Sequence, residues 1–157
     1  MPRPTLLCRR QLVVAALLLP MLGVQAKQAR VSIEVWKSPT CGCCKDWVAH
    51  LQENGFEVQV HELSESAKAA QRARLGMAEK FGSCHTALVR GYVVEGHVPA
   101  ADIQTLLKQR PTALGLAVPG MPLGSPGMDG AVYVGRRNPY AVMLVQRDGS
   151  ASVYAKH

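Results

Sequence analysis

The sequence predicts a single α/β domain, because strand-like and helix-like patterns take turns along its middle portion. Two strand patterns flank the first helix pattern, which indicates a parallel β-α-β unit. Three cysteines, Cys41, Cys43 and Cys44, stand between the first strand and that helix. The loop that links these two elements is therefore a candidate functional site.

The first 26 residues are predicted to be a cleaved signal peptide. Arg3, Arg9 and Arg10 precede an apolar stretch over 12–22, and Ala26 ends a small-residue cleavage pattern. The apolar stretch is too short to span a bilayer comfortably. We therefore expect residues 27–157 to form one periplasmic domain with no membrane attachment after cleavage. Either the general or the twin-arginine export route fits these residues.

The remaining chain is only mildly basic. Three of the 18 Lys and Arg residues lie in the signal and none of the 11 Asp and Glu residues do, so cleavage lowers the formal net charge from +7 to +4. No basic run or basic-aromatic stripe follows, which argues against binding to nucleic acid.

The first half of the domain contains two predicted strands and two predicted helices. Apolar and polar residues alternate over 31–36, and a helix follows from Cys44 to the Asn54-Gly55 stop. A second alternating strand covers 56–60. Ser64 is the predicted cap of an alanine-rich helix that ends near Gly76.

Two further strands and a third helix complete the predicted core. The strands cover 86–89 and 92–94 and form a hairpin around Arg90-Gly91, and a helix begins at Pro99. The order β-α-β-α-β-β-α is that of a thioredoxin-like domain. In this arrangement the three clustered cysteines lie at the N-terminus of the first helix.

The last third of the chain differs in composition. Residues 115–130 are rich in glycine and proline and are predicted to form a loop. Strand patterns over 140–146 and 151–155 flank Asp148-Gly149, which predicts a C-terminal β-hairpin that extends or covers the core.

The clustered cysteines suit either metal binding or thiol redox chemistry. A helix N-terminus stabilises thiolate, which is both the metal ligand and the redox nucleophile. Cys41 and Cys44 have the C-x-x-C spacing of thiol-disulfide exchange, but Cys43 adds a competing third thiol. Additional thiolates favour Cu(I), since it binds soft sulfur strongly and one sulfur can bridge two ions.

Cys84-His85 adds two candidate ligands to this cluster. The pair stands at the position where thioredoxins resemble one another in carrying a cis-proline. The replacement of that proline by Cys84-His85 favours metal binding over thiol-disulfide exchange. The candidate metal ligands are therefore Cys41, Cys43, Cys44 and Cys84. His85, Met121 and Met128 are additional candidates, the methionines because thioether sulfur suits Cu(I), and His97 is a weaker one.

Three alternatives to copper remain open from the residues alone. The cysteines can hold zinc, although adjacent Cys43 and Cys44 lack the usual spacing of zinc ligands. Cys41 and Cys44 can act as a thiol-disulfide oxidoreductase. Structural disulfides are the third alternative and would pair Cys84 with one of the clustered cysteines. Metal binding is favoured over classical catalysis, and we assign no catalytic residue and no organic cofactor.

Several separated motifs resemble the periplasmic copper-resistance proteins of the CopG type. The resemblance covers about residues 31–154 and rests on four segments: Cys41-Gly42-Cys43-Cys44, Ser83 to Ala87, Gly91 to Ala100 and Gly115 to Pro122. It implies a thioredoxin-like fold and a cysteine-bridged, multinuclear copper site with redox interconversion of Cu(I) and Cu(II). It also implies a role in copper tolerance, with copper ions and other periplasmic copper-handling proteins as partners.

Overall fold

A computed structural model describes residues 30–157, so the predicted signal peptide lies outside the described residues. Seven strands and three α-helices form the domain, together with 3-10 turns at Glu79–Phe81 and Ala131–Tyr133. In chain order the elements are β1 (Val31–Lys37), α1 (Gly42–Glu53), β2 (Phe56–Glu62), α2 (Glu65–Arg74), β3 (His85–Val89), β4 (Tyr92–Glu95), α3 (Ala100–Gln109), β5 (Gly115–Ala117), β6 (Ala141–Val145) and β7 (Ala151–Lys156).

The strands form one sheet in the order β2-β1-β3-β4-β5-β6-β7. β1 and β2 are parallel, whereas β3 is antiparallel to both β1 and β4. The predicted β-α-β unit, the β3–β4 hairpin and the order of the first seven elements are therefore confirmed. This is the thioredoxin-like arrangement, and the C-terminal hairpin extends its sheet as β6 and β7.

Helix α1 packs one apolar face on the sheet. Trp47 and Val48 lie about one turn before Leu51, and all three are buried. They join the main core, which contains Ile33 and Val35 of β1 and apolar residues of β3, β4 and α3. Because the core anchors α1 along its length, the N-terminal turn that carries the cysteines has a fixed position.

Strand β5 differs from the sequence prediction, which placed a loop at 115–130. β5 pairs in parallel with β4 and antiparallel with β6, so it joins the thioredoxin-like strands to the C-terminal hairpin. A Cβ atom at Gly115 would lie 1.7 Å from the Val93 carbonyl oxygen. The glycine that suggested a loop instead permits this close approach of two backbones. Residues 118–130 contain no helix or strand, as predicted.

The register of the sheet brings the candidate site residues to one end. Lys37, the last residue of β1, pairs with His85, and Thr86 pairs with Glu95. Three segments therefore meet at the same end of the sheet: the loop to Cys41, Ser83-Cys84 and Gly96-His97. Within residues 30–157, no helix is long and apolar enough to cross a membrane.

Candidate metal centre

Helix α1 begins directly after Cys41, which is its N-cap residue. The side chain of Cys41 makes no capping hydrogen bond, and the first turn contains no acidic residue. The helix dipole and the free N–H groups therefore favour negative charge on the cysteine sulfur atoms of this turn. The predicted location of the cluster is confirmed.

Four sulfur atoms lie together at this helix end. The Sγ atoms of Cys41, Cys43, Cys44 and Cys84 are all within 4.8 Å of one another. Cys43 Sγ is 3.6 Å from Cys41 Sγ and 3.8 Å from Cys84 Sγ. Two segments 40 residues apart in sequence thus supply one compact group of soft ligand atoms.

In this structure Cys41 and Cys44 form a disulfide, while Cys43 and Cys84 are free. The disulfide predicted from the sequence pairs Cys84 with one of the clustered cysteines, and this prediction is wrong. The C-x-x-C spacing on one helical turn brings Cys41 and Cys44 to a Cα separation of 5.3 Å, which suits a disulfide. Reduction by two electrons and two protons would return both thiols to the cluster.

His97, a weaker candidate from the sequence, lies directly against Cys84. Its Nε2 lies 2.9 Å from Cys84 Sγ, and its Nδ1 lies 2.9 Å from the Pro126 carbonyl oxygen. Because a carbonyl only accepts, Nδ1–H donates to Pro126 and the Nε2 lone pair faces Cys84. Burial lowers the pKa of His97, which keeps the imidazole neutral and able to bind a metal.

His85, which follows Cys84 in the chain, is completely buried. Its Nε2 donates to the Gly96 carbonyl at 2.9 Å, and its ring lies 4.2 Å from the Trp47 ring. Its Nδ1 is the buried side-chain nitrogen that has no hydrogen-bond partner among residues 30–157. Cys84, His85 and His97 each place one ligand atom within 4.8 Å of the other two. A buried imidazole nitrogen without a hydrogen-bond partner, on a residue of this group, fits a metal-ligand role.

The Cys84 thiol is held in its protonated form by its surroundings. Burial, and then the charge of Cys43, raise the pKa of Cys84 to about 12. The Cys84 carbonyl accepts a hydrogen bond from Lys68 Nζ at 2.8 Å, and Lys68 is itself buried. A metal that binds Cys84 must therefore displace a proton.

Glu95 fixes the segment that carries Cys84. Its carboxylate is fully buried and accepts hydrogen bonds from the Ser83 N–H at 2.7 Å and the Thr86 hydroxyl at 2.6 Å. Arg72 donates to it from 3.4 Å. Burial raises the pKa of Glu95, and these donors oppose that shift. The partners lie on both sides of Cys84-His85, so Glu95 holds the two candidate ligands in place.

The two candidate methionines lie in different surroundings. Met121 is 53% exposed and lines an open cavity of about 420 Å³ together with Cys41 and Cys84. Met128 is buried, and its Sδ accepts a hydrogen bond from the Tyr133 hydroxyl at 3.3 Å. Met121 is therefore free to reach an ion that enters through this cavity, whereas Met128 already has a polar partner.

The loop over 118–130 packs directly against α1. Gly127 has a φ of 83°, and a Cβ atom there would lie 2.5 Å from the Cys43 carbonyl oxygen and 2.8 Å from the Trp47 nitrogen. Ser83 Oγ donates to the Gly120 carbonyl and so fastens the other end of the loop. The glycines of this segment thus allow it to pack against the site and to supply the Pro126 carbonyl to His97.

Comparison with known proteins identifies the family. The model of a family described as "Protein of unknown function, DUF411" matches residues 81–128. The solved structure "Copper resistance protein copG- Form 1" is 46% identical with a TM-score of 0.74, and the match covers 82% of this chain and 98% of that chain. "Form 2" of the same protein is 45% identical with a TM-score of 0.73 and the same coverage. No curated protein matches the chain. Since the identity is high over nearly the whole length of these structures, the chain belongs to the CopG family of copper resistance proteins.

Proposed function

We propose that the protein binds Cu(I) through the thiolates of Cys41, Cys43, Cys44 and Cys84. The observation that carries this proposal is the approach of all four sulfur atoms to within 4.8 Å of one another. Thiolate sulfur is the ligand that Cu(I) prefers, and the helix N-terminus offsets part of the negative charge that accumulates. The name of the solved relatives agrees with copper as the metal.

The site takes up more than one ion. Two sulfur atoms bound to one metal at about 2.3 Å can lie at most about 4.6 Å apart. The separations of 3.6 Å and 3.8 Å on either side of Cys43 fall within that span, which supports a bridging role for Cys43 between two ions. The full site requires reduction of the Cys41–Cys44 disulfide, because a disulfide sulfur is not a thiolate ligand.

Histidine and methionine complete the coordination. His97 and His85 present neutral imidazole nitrogens beside Cys84, and Met121 presents its thioether at the cavity. Met128 is the less favoured thioether because Tyr133 already donates to it. Since imidazole suits Cu(II) as well as Cu(I), the mixed ligand set allows the bound copper to change oxidation state.

The physiological role is copper tolerance outside the cytoplasm. Residues 1–26 act as the export signal, and residues 27–157 act as the periplasmic domain. Copper would be sequestered, changed in oxidation state or passed to another copper-handling protein. The exposed cavity with Met121 on its wall supports exchange with a partner, because an ion can reach Cys41 and Cys84 from solvent.

The test is a Cu(I) titration of reduced protein under anaerobic conditions. We expect stoichiometric uptake of more than one Cu(I) per chain, a partial loss in Cys43→Ser and Cys84→Ser, and complete loss in the quadruple Cys→Ser variant. Met121→Leu should lower the Cu(I) affinity, whereas the matched change Met77→Leu, at a core position that is 1% exposed, should not. Full copper retention by the quadruple variant would disprove the thiolate assignment.

A second candidate function is thiol-disulfide exchange by Cys41 and Cys44. The disulfide between these residues at the start of α1 favours it. Cys43→Ser separates the two functions, because it removes the bridging ligand and leaves the C-x-x-C pair intact. An oxidoreductase would keep or improve its turnover in an insulin-reduction assay with metal-free protein. We expect no turnover from either the wild-type or the variant protein.

A further inference from the structure

A second cavity lies at the opposite end of the sheet from the cysteines. Its volume is about 610 Å³, and its wall includes Val31 at the start of β1 and the β3–β4 turn at Arg90-Gly91. The cysteine loop follows the other end of β1. Seven residues at a rise of about 3.3 Å each separate the two ends by roughly 20 Å. A ligand in this cavity would therefore not touch the cysteine site.

Three arginines from separate segments line this cavity. Arg90 comes from the β3–β4 turn, Arg110 from the end of α3 and Arg147 from the β6–β7 turn. No acidic residue lines it, and the five ion pairs formed between described residues include none of the three arginines. The acid next to Arg147 in sequence, Asp148, accepts hydrogen bonds from Ser150. Positive charge of one sign around a concave surface raises the local concentration of anions.

Two of these arginines occupy backbone positions that normally favour glycine. Arg90 has a φ of 49° and Arg110 a φ of 52°, and in residues 30–157 the one other non-glycine residue with positive φ is Val134. Arg90 stands at the first central position of a two-residue hairpin turn, and Arg110 at the left-handed end of α3. Both residues adopt a backbone conformation that costs free energy, and both line the same cavity, which is a pattern found at binding sites.

The rest of the wall is apolar. Val31, Leu107, Pro111 and Ala113 contribute hydrocarbon surface. Tyr92 donates its hydroxyl hydrogen to the Pro111 carbonyl at 2.8 Å, which leaves the ring as its contribution to the wall. A cavity of several hundred Å³ holds a small organic molecule rather than a single inorganic ion.

We propose that this cavity binds a small organic anion, with a phosphate or carboxylate group held by Arg90, Arg110 and Arg147 and an apolar body against Tyr92 and Leu107. Guanidinium groups pair with both oxyanions in a bidentate manner, so the shared chemistry is the anionic head group. This site is independent of the cysteine cluster, and its test does not depend on copper binding.

The test is calorimetric titration of the purified protein with phenyl phosphate and with benzoate. We expect a Kd below about 1 mM for the better of the two probes, and weaker binding as salt is added, because the attraction is screened. Phenol and inorganic phosphate each carry half of the proposed ligand and should bind at least about tenfold more weakly. The ratio of the two Kd values distinguishes a phosphate from a carboxylate head group.

Three arginine variants make the test specific. Arg147→Ala should weaken binding at least about tenfold, since it removes a charged hydrogen-bond donor. Arg90→Gly and Arg110→Gly should weaken binding while raising the Tm by about 2–4 °C, because glycine adopts positive φ without strain. A loss of binding in a more stable protein cannot result from misfolding. Arg136→Ala, which removes an exposed arginine outside this cavity, is the control of equal charge.

Three results would overturn the proposal. The first is no binding of either probe at 10 mM, a concentration about tenfold above the expected Kd. The second is an equal loss of binding in Arg136→Ala and Arg147→Ala, which would indicate attraction to net charge alone. The third is equal affinity for inorganic phosphate and phenyl phosphate, which would exclude the apolar part of the ligand.

Discussion

The two ends of the sheet differ in the burial of their charged groups. At the cysteine end Lys68, His85, Glu95 and His97 are all buried, and their polar atoms have partners with the exception of His85 Nδ1. At the arginine end the charged side chains are exposed and lack ion-pair partners among the described residues. Buried polar groups hold each other in place, whereas exposed ones adapt to a ligand. This contrast agrees with the metal site that we propose at the cysteine end and with the anion site that we propose at the arginine end.

Substitution of Glu95 should have the largest effect on stability. Glu95→Ala leaves the Ser83 N–H and the Thr86 hydroxyl buried without an acceptor, so we expect the free energy of unfolding to fall by about 3–5 kcal/mol. Glu95→Gln keeps one acceptor oxygen and should cost about 1–2 kcal/mol. Urea unfolding of the metal-free protein measures both. Equal losses in the two variants would mean that one neutral acceptor oxygen of the same volume cannot replace any part of the carboxylate's contribution.

Acidification should destabilise the cysteine end. Burial holds the pKa of His85 well below 6.5 and lowers that of His97, whereas both regain ordinary values near 6.5 on unfolding. Below pH 6.5 the unfolded chain therefore takes up protons that the folded protein does not, and stability falls as the pH falls. Glu95, with a raised pKa, opposes this trend in part.

We expect a net loss of about 1–2 kcal/mol between pH 7.5 and pH 5.5, from urea unfolding of the metal-free protein. His97→Gln should reduce this pH dependence. His61→Gln is the control, since the His61 side chain is 44% exposed and pairs with Glu34 at the surface. A pH dependence that persists unchanged in His97→Gln would exclude His97 as its source.

Lys68→Met should have a smaller effect. The change keeps most of the hydrocarbon volume but removes the hydrogen bond to the Cys84 carbonyl, so we expect a loss of about 1 kcal/mol. The Cu(I) affinity should fall in parallel, because the Ser83-Cys84 segment becomes less fixed. Competition with a Cu(I) chelator measures the affinity. An unchanged affinity would show that Glu95 alone positions Cys84.

Arg147→Ala should have the smallest effect on stability. The side chain is exposed and forms no ion pair with a described residue, so the free energy of unfolding should change by less than about 0.5 kcal/mol. Urea unfolding without added anion checks this. A loss above 1 kcal/mol, on the order of a lost hydrogen bond, would mean that the arginine end is also a structural network.

The local patterns predicted most of the fold because each element agrees with its final environment. The alternation in β1 and β2, the end of α1 at Asn54-Gly55 and the Asp148-Gly149 turn all match the structure. β5 was missed because it is three residues long and begins with a glycine. Its existence depends on the Val93 backbone beside it, which no local pattern reveals.

The four cysteines could be grouped from the sequence because three are adjacent and the fourth enters a strand next to the helix. His97 was ranked low because its own neighbours are uninformative. Its position depends on the β4 register, which brings it to Cys84, and its tautomer depends on the Pro126 carbonyl, which accepts the Nδ1–H. A signal was available in the Glu95-Gly96-His97 segment, which the resemblance included as a whole.

The sequence by itself determined the order of elements, the place of the cysteines at a helix N-terminus and the presence of several soft sulfur ligands, because these follow from periodicity, spacing and residue type. The tertiary structure alone decided which cysteines pair, which imidazole nitrogens face the sulfur atoms and which buried groups hold them. It also brought three arginines from segments far apart in the chain to one cavity: Arg90, Arg110 and Arg147. These features depend on contacts between residues far apart in the chain, and such contacts exist only after the strands have taken their register.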